Sequence, residues 1–302
     1  MIVAEHLTKR FPGRRAPAVD DLPLEVRDGE ILGLVGLNGA GKTTTMRMAA
    51  GVSIPSSGRI LVDGVDIVRE KRAASKRVAW VPELFPYEPT VRALPLLVYF
   101  AGFYGLSSAE ATRHARERLA AVGLGEDEQG LLRNFSQGMR KRFSLASAMI
   151  SDPANLLLDE ILNGLDPAGI AFVRNWVQES RRDRKAVLLS SHQLTELEAL
   201  ADRVAFVHQG RLLRTIDRAE LARAGTPAFR FTIRNLDPAA LAYLSSVGTV
   251  RADGTTVWLS RPTTESHDVT AELVRRGYQV AECRVETTSL EAYFLELIGE
   301  AR

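Results

Sequence analysis

The residues best suited to chemistry lie in one glycine-rich stretch near the amino terminus. Residues 36–44, GLNGAGKTT, fit the pattern G-x-x-x-x-G-K-[ST], follow the apolar run ILGLV and open a run typical of a helix. Glycines let backbone N–H groups approach phosphate oxygens, the Lys42 ammonium can reach the terminal phosphates, and the Thr43 hydroxyl can bind Mg²⁺. The stretch therefore predicts a phosphate-binding loop.

Two consecutive carboxylates end a second apolar run, LLLDE at residues 156–160. Asp159 is suited to hold the water shell of Mg²⁺, and Glu160 can polarise an attacking water if its side chain points at the terminal phosphate. An apolar strand that ends in two acids is a weak signal alone. Together with the glycine-rich loop it predicts a site for phosphate hydrolysis.

Two further segments carry polar residues next to predicted strands or helices. In LLSSHQLTE, His192 is either a structural turn residue or a contact to the terminal phosphate. In NFSQGMRKR, residues 134–142, a polar turn enters a basic helix whose first N–H groups can hold an anion. We expect Arg140, Lys141 and Arg142 to be charges on the surface of that helix.

Short apolar runs alternate with helical patterns and must position these residues. This alternation predicts an α/β fold with a largely parallel sheet. The predicted strands are IVAEHL, LPLEV, EILGLVG, RILVDG, RVAWV, NLLLDE, AVLLSS and RVAFVHQG.

Two changes of pattern divide the chain into domains. Strand signals vanish over residues 84–134, where an amphipathic pattern predicts an inserted helical subdomain. Gly225 and Pro227 mark a boundary between a first domain, residues 1–225, and a second, residues 226–302. The second domain reads βαββαβ, with a hairpin at Asp253-Gly254, which predicts a small ferredoxin-like α+β module.

Composition excludes several classes of protein. Lys and Arg number 39 and Asp and Glu 37, and a net charge of +2 does not indicate nucleic-acid binding. The single cysteine, Cys283, allows no intramolecular disulfide and suits a reducing compartment. The longest apolar run, residues 93–106, contains Pro95 and is shorter than the roughly 20 residues that a membrane span needs. We therefore expect no membrane span and no secretory signal.

Taken together, the motifs resemble the nucleotide-binding subunit of an ATP-binding cassette (ABC) transporter over residues 1–225. GLNGAGKTT, FSQGM, LLLDE, NGLDP and SSH occur in the order and approximate spacing of that family's Walker A, signature, Walker B, D-loop and switch-histidine motifs. The SQGM signature and the closing SLEAYFLEL segment resemble the ABC-2-type exporter branch. The resemblance implies a P-loop NTPase fold with a mixed sheet core, ATP as substrate and Mg²⁺ as cofactor.

The resemblance also implies a role for each matching residue. It makes Glu160 the catalytic base, His192 the switch that contacts the γ-phosphate, and Asp159 a ligand of the metal together with Thr43 and Glu83. Phe11 would stack on adenine; the alternative is an ordinary half-buried loop aromatic, since any planar base could stack there. The residues implied to contact ATP are Phe11, Asn38, Gly39, Ala40, Gly41, Lys42, Thr43 and Thr44, together with Ser136 and Gly138 for the ATP of a neighbouring subunit.

Implied partners follow from the single P-loop and the single signature in this chain. Two family members face head to tail, so a homodimer or a homologous ATPase subunit is expected. A separately encoded permease is expected as the further partner. Nucleic acid is not expected as a partner. These partners would place the chain in the cytoplasm, at the inner face of the cell membrane.

Three departures from the family pattern stand at the predicted site. The signature has Gln137 where a glycine is usual, and Glu83 in WVPELFP stands where a glutamine is usual. A carboxylate at position 83 adds negative charge and would act through water rather than bind the metal directly. Ile161 and Leu162 replace a proline and a small polar residue, which leaves the path into NGLDP open.

Two alternatives to transport predict sequence features that differ from those of this chain. A soluble ABC ATPase that acts on ribosomes or DNA would need two cassettes or a long coiled coil between P-loop and signature. A P-loop kinase or GTPase would not carry the FSQGM and SSH segments, and the chain has no N-K-x-D motif.

Overall fold

The computed structural model describes residues 1–84, 88, 90–191, 194–220, 227–260, 262–287, 293–294 and 297–299 of the 302-residue chain. The chain divides into two compact units, Met1–Ile216 and Asp217–Arg302. The domain boundary predicted after residue 225 falls among residues 221–226, outside the described residues.

A six-stranded, largely parallel sheet forms the centre of the first unit. Its strand order is β10-β9-β3-β8-β7-β6, and the pairs β3/β8, β3/β9, β6/β7 and β7/β8 are parallel. The three central strands are buried over their whole length, as expected of a parallel sheet that is covered on both faces. The strands are β3 Ile31–Val35, β6 Val78–Val81, β7 Asn155–Asp159, β8 Ala186–Ser190, β9 Arg203–His208 and β10 Arg211–Asp217.

A second, antiparallel sheet accompanies it, with the order β2-β1-β4-β5. Its first two strands alternate buried and more exposed side chains, the pattern of a sheet with only one face on the core. The sequence predicts three of these four strands, at IVAEHL, LPLEV and RILVDG, but neither the fourth nor their separation from the parallel sheet. The four strands are β1 Ile2–Lys9, β2 Val19–Val26, β4 Ser57–Val62 and the unpredicted β5 Val65–Asp66.

Seven helices of this unit lie among the described residues. They are α1 Lys42–Ala49, α2 Lys71–Ala74, α3 Ala93–Gly102, α4 Ser108–Ala121, α5 Gln137–Ala148, α6 Pro167–Arg182 and α7 Leu194–Leu200. The predicted helical insertion contains α3 and α4. Its ends are held together by backbone hydrogen bonds from Ala93 to Gly130 and from Leu132 to Val91, so the insertion leaves the sheet and returns at one place.

Local signals explain where these helices begin. Ser107 and Glu110 form a capping box before α4, and the Asp166 side chain accepts the Gly169 N–H before α6, which starts with Pro167. Ser136 caps α5 by accepting the N–H of Met139 at 3.2 Å. The polar turn FSQ therefore fixes the first turn of α5.

As far as the structure describes it, the second unit includes a four-stranded antiparallel sheet, with the order β12-β13-β11-β14, and a pair of ten-residue helices. Its core includes Phe229, Phe231, Leu244 and Leu273. The elements are β11 Pro227–Ile233, α8 Pro238–Val247, β12 Thr249–Asp253, β13 Thr256–Ser260, α9 Ser266–Arg275 and β14 Val280–Thr287. Their order is the predicted βαββαβ, while the ferredoxin-like assignment stays a prediction.

The longest apolar run of the sequence becomes the ten-residue helix α3. In the part of the chain that the structure describes, no helix combines the length and the apolar character that a membrane crossing requires.

Candidate functional site

The glycine-rich loop connects the buried strand β3 to helix α1, as its pattern predicts. Gly41 precedes α1 with φ +106°, and a Cβ there would lie 2.5 Å from the Ala18 carbonyl oxygen. Only glycine fits this conformation and this close approach. Asn38 and Gly39 are exposed at the tip, while Ala40 is buried, so the tip is open to a ligand and its base is fixed.

The Lys42 ammonium lies between the loop and a carboxylate. Lys42 is buried, and its Nζ donates a hydrogen bond to the Gly36 carbonyl at 2.7 Å. The same Nζ lies 3.6 Å from Glu160 Oε1. The structure therefore brings together the loop before α1 and the acidic end of β7, although Lys42 and Glu160 are 118 positions apart in the sequence.

Asp159 ends β7 with a buried carboxylate. Its Oδ1 accepts the Ser190 hydroxyl at 2.7 Å. The pKa of Asp159 lies above its usual value, chiefly because the carboxylate is buried. Hydrogen bonds from Ser190 and Thr43 oppose this shift, and the negative charges of Glu160 and Glu83 add to it. Among the described residues, no partner with hydrogen-bond geometry is found for the buried Oδ2.

These features fit a magnesium ion. A buried carboxylate oxygen without a hydrogen bond, beside the Thr43 hydroxyl, offers the oxygen ligands that Mg²⁺ prefers. The described residues contain no group of three His, Cys, Asp or Glu side chains that could hold a metal without help. Mg²⁺ suits this arrangement because it is usually bound by one or two protein groups together with water and substrate phosphates.

Glu160 follows Asp159 in a left-handed backbone conformation, with φ +48°. Its N–H donates to Ser190 Oγ at 3.0 Å, and its Oε2 accepts the Asn163 side-chain amide at 3.2 Å. A left-handed conformation is uncommon for residues other than glycine and marks a backbone held by its surroundings. These contacts hold the Glu160 carboxylate at the carboxyl end of the parallel sheet, on the side of Lys42.

Ser190 and Asn163 belong to this site, although the sequence analysis did not single them out. Ser190 is fully buried at the end of β8, and its hydroxyl links the Asp159 carboxylate to the Glu160 N–H. The signal for Ser190 was a hydroxyl at the end of an apolar strand that neighbours LLLDE. Nothing in the sequence indicated the contact of Asn163, because it depends on how the turn after Glu160 folds.

The structure shows how the chain continues from Glu160 into NGLDP, residues 163–167. Ile161 and Leu162 are buried, so they pack into the core. Asn163 N–H donates to the Glu160 carbonyl at 3.1 Å, and Gly164 has φ +70°. The chain then reaches Asp166 and α6.

The predicted signature lies at the start of α5. Ser136 and Gln137 are exposed there. Among the residues that the structure covers, no hydrogen bond or ion pair joins Ser136 or Gly138 to the phosphate loop of the same chain. The Gln137 amide instead lies 3.5 Å from the Asn163 carbonyl, and a Cβ on Gly164 would meet it at 2.1 Å.

The position of Lys141 differs from the prediction made from the sequence. It was expected to be a surface charge, but it is only 8% exposed, whereas Arg140 and Arg142 are half-buried. Its Nζ donates to the Glu83 carbonyl at 2.8 Å and to the Glu160 carbonyl at 3.3 Å. Burial lowers the pKa of Lys141, while the carboxylates of Glu83, Asp159 and Glu160 oppose that shift.

Three further residues were predicted for the site: Glu83, Phe11 and His192. Glu83 has an exposed side chain, and its described hydrogen bond is made by its carbonyl. Phe11 is 37% exposed in the segment between β1 and β2, with the Lys9 ammonium 5.2 Å from its ring centroid. His192 lies outside the described residues, directly after the buried Ser191.

Comparisons with known proteins identify the family to which this chain belongs. The sequence model of the family described as ABC transporter matches residues 19–163. The bacitracin transport ATP-binding protein BcrA of Bacillus licheniformis is 31% identical, over 99% of this chain and 97% of its own length. The daunorubicin resistance ATP-binding protein DrrA3 of Streptomyces coeruleorubidus is 32% identical, over 100% of this chain and 96% of its own length.

A solved structure, the ATP-binding subunit of an ABC transporter, is similar in three dimensions. It has a TM-score of 0.67 and 26% identity, and the match covers 74% of this chain and 92% of that chain. The predicted α/β P-loop fold with a mixed sheet core is thereby confirmed.

Proposed function

Because this chain belongs to the ATP-binding proteins of ABC transporters and is an ATPase, we propose that it powers a separate membrane permease of the exporter type by ATP-driven closure of a dimer. Two similar proteins act in bacitracin transport and in daunorubicin resistance according to their names. Both names favour export of a toxic compound over uptake of a nutrient. The permease would hold this chain at the inner face of the cell membrane.

The proposal depends on one observation, the incomplete phosphate site. The chain supplies the phosphate loop, Lys42, Asp159 and Glu160 at one place, while its own signature at Ser136 makes no described contact with that loop. The start of α5 offers N–H groups and a favourable dipole for a negative charge. A second copy, or a homologous subunit, would present its Ser136 and Gly138 to the terminal phosphate of the ATP.

Each group of the site has a place in the hydrolysis. The loop N–H groups and Lys42 would hold the phosphates, and Thr43 and Asp159 would hold Mg²⁺. A bound Mg²⁺ supplies charge neutralisation at the phosphate oxygens. Glu160 would orient a water and accept its proton, since its carboxylate is held by Asn163 close to Lys42. His192 is proposed to contact the γ-phosphate.

A groove beside the insertion supports the proposed permease contact. The α3–α5 groove has a volume of about 390 Å³, and its walls include Trp80, Phe100, Phe103, Tyr104 and Ser147. Phe103 is 70% exposed, so its ring is accessible to a partner. A short amphipathic helix from a permease would fit such a groove.

Replacement of Glu160 by Gln tests the dimer. We expect ATPase activity to fall by about 10²–10⁴-fold, because the amide cannot accept the proton of the water. Since ATP can then bind but not react, size-exclusion chromatography with light scattering should show a dimer with Mg-ATP and a monomer without nucleotide. A monomer under both conditions would contradict the proposed closure of the isolated subunit.

A second substitution in the same background provides the control. Asp caps helices as well as Ser, so Glu160→Gln/Ser136→Asp should keep α5 folded. Its extra carboxylate would face the terminal phosphate of the partner's ATP, and we expect no dimer with Mg-ATP. A dimer that persists in this double variant would show that it does not form through the signature.

A further inference from the structure

The Lys141 side chain connects three segments that are distant in the sequence. It starts from helix α5, the helix that begins next to Ser136, and it reaches the carbonyls of Glu83 and Glu160. Glu83 follows β6 at the start of the helical insertion, and Glu160 follows β7. One ammonium group therefore joins the helix of the signature to both segments that carry the acidic side chains of the site.

Glu160 lies between two buried lysines. The Lys42 ammonium is 3.6 Å from its carboxylate, and the Lys141 ammonium is 3.3 Å from its carbonyl. Both lysines are less than a tenth exposed. The backbone N–H of Glu160 is held by Ser190, so the Lys141 contact fixes the opposite side of a residue whose backbone is already in a left-handed conformation.

A second contact links α5 to the same turn. Gln137, in the first turn of α5, places its amide 3.5 Å from the Asn163 carbonyl. The Asn163 side chain in turn donates to the Glu160 carboxylate. Helix α5 thus touches the turn that carries Glu160 at two points, and a shift of α5 would be transmitted to that turn.

The charge of Lys141 is not required for packing alone. A buried ammonium loses its hydration, which lowers the pKa of Lys141, so its burial has a cost that only its hydrogen bonds and nearby carboxylates offset. An unbranched apolar residue of similar length could fill the same space. What it could not do is donate hydrogen bonds to two carbonyls.

We propose that Lys141 is a positioning residue for ATP hydrolysis, which couples the placement of α5 to the orientation of the Glu160 carboxylate. The proposal rests on the proposed role of Glu160 in hydrolysis. It gives α5 a direct connection to the reacting end of the site within one chain. The position of α5 in the closed dimer would then align the Glu160 carboxylate for the reaction.

Replacement of Lys141 by Met tests this role. Met keeps the length and apolar stem but makes no hydrogen bond. We expect kcat to fall by up to about 100-fold, the effect of a misplacement of about 1 Å, while the Kd for ATP measured with a fluorescent analogue changes less than about threefold. Lys141→Gln, which can still donate to a carbonyl, should recover part of kcat.

Lys185 offers a matched control for the loss of a buried ammonium. Lys185 is also 8% exposed, and its Nζ donates to the Pro153 carbonyl and to Asp152 Oδ1, both at 2.9 Å, before the amino end of β8. We expect Lys185→Met to lower the thermal unfolding temperature at least as much as Lys141→Met does, with an unchanged kcat. An equal loss of kcat in both variants would overturn the proposal, as would a kcat of Lys141→Met within about twofold of the parent.

A double variant separates this proposal from the role of Glu160. If Lys141 acts through Glu160, then Glu160→Gln/Lys141→Gln should hydrolyse ATP no more slowly than Glu160→Gln alone. A further loss in the double variant would overturn the coupling. If Glu160→Gln itself retains full activity, the proposed role of Glu160 fails, which is a different outcome. The Gln variants also serve if Lys141→Met does not fold.

Discussion

Two acidic residues whose carbonyls accept hydrogen bonds from Lys141, Glu83 and Glu160, have side chains in opposite environments. The Glu160 carboxylate is buried and contacts Asn163 and Lys42, whereas the Glu83 side chain is exposed and only its carbonyl is bound by Lys141. A backbone contact does not depend on the identity of the side chain. The two residues should therefore differ sharply in their sensitivity to the same substitution.

Replacement of Glu83 by Gln should keep most of the ATPase activity. The substitution leaves the Lys141 hydrogen bond to the carbonyl in place and removes a negative charge whose effect is screened at an exposed position. Steady-state ATPase rates of Glu83→Gln and Glu160→Gln, measured side by side, check this. A loss in Glu83→Gln as large as that in Glu160→Gln would refute it and favour Glu83 as a direct ligand of the metal.

At the residue scale, the sequence predicted groups that belong to a recognisable pattern and missed those defined by the fold. Lys42, Asp159 and Glu160 come together as their motifs indicate. Lys141 lies within a basic run near the start of a helix, and such charges are usually exposed. Its burial depends on the return of α5 against β6 and β7, which is information that the local sequence does not contain.

At the scale of elements, the glycine-rich loop is the part that the sequence specifies most completely. Its strand, its turn and its helix all have the predicted order, and Gly39 and Gly41 adopt the positive φ values that glycine permits. The antiparallel sheet of β1, β2, β4 and β5 was not separated from the parallel one. Strand pairing depends on contacts between distant segments, so the apolar runs indicate β1, β2 and β4 without identifying their neighbours, and they do not indicate the two-residue β5.

Two alanine substitutions in the loop should have different effects on the free energy of unfolding. Gly39→Ala, with φ +82° and open space around the Cβ, should cost about 1–2 kcal/mol from backbone strain alone. Gly41→Ala would add a contact of 2.5 Å with the Ala18 carbonyl and should cost roughly 1–3 kcal/mol more. Chemical denaturation of both variants measures the difference. Equal costs would contradict the role assigned to the close approach.

At the scale of the whole molecule, each of the two units has its own core. The residues that hold the phosphate site lie in Met1–Ile216, while the second unit packs around residues such as Phe231 and Leu273. The first unit contains one phosphate loop and one signature. The change of pattern near Gly225 predicts two domains, and the boundary after residue 225 stays a prediction, since the two units divide between Ile216 and Asp217. Nothing in the second unit's sequence indicates a ligand.

A chain that ends after residue 226 should therefore still bind ATP. The truncation keeps the whole first unit, including the loop, Lys42, Asp159 and the helix α5, and removes a unit with a separate core. We expect the Kd for a fluorescent ATP analogue to stay within about threefold of that of the full chain, with Lys42→Ala in the truncated chain as the control that abolishes binding. Circular dichroism must first show that the truncated chain is folded. A folded truncated chain that does not bind ATP would mean that residues after 226 contribute to the nucleotide site, and the two units would then have to be treated as one functional domain.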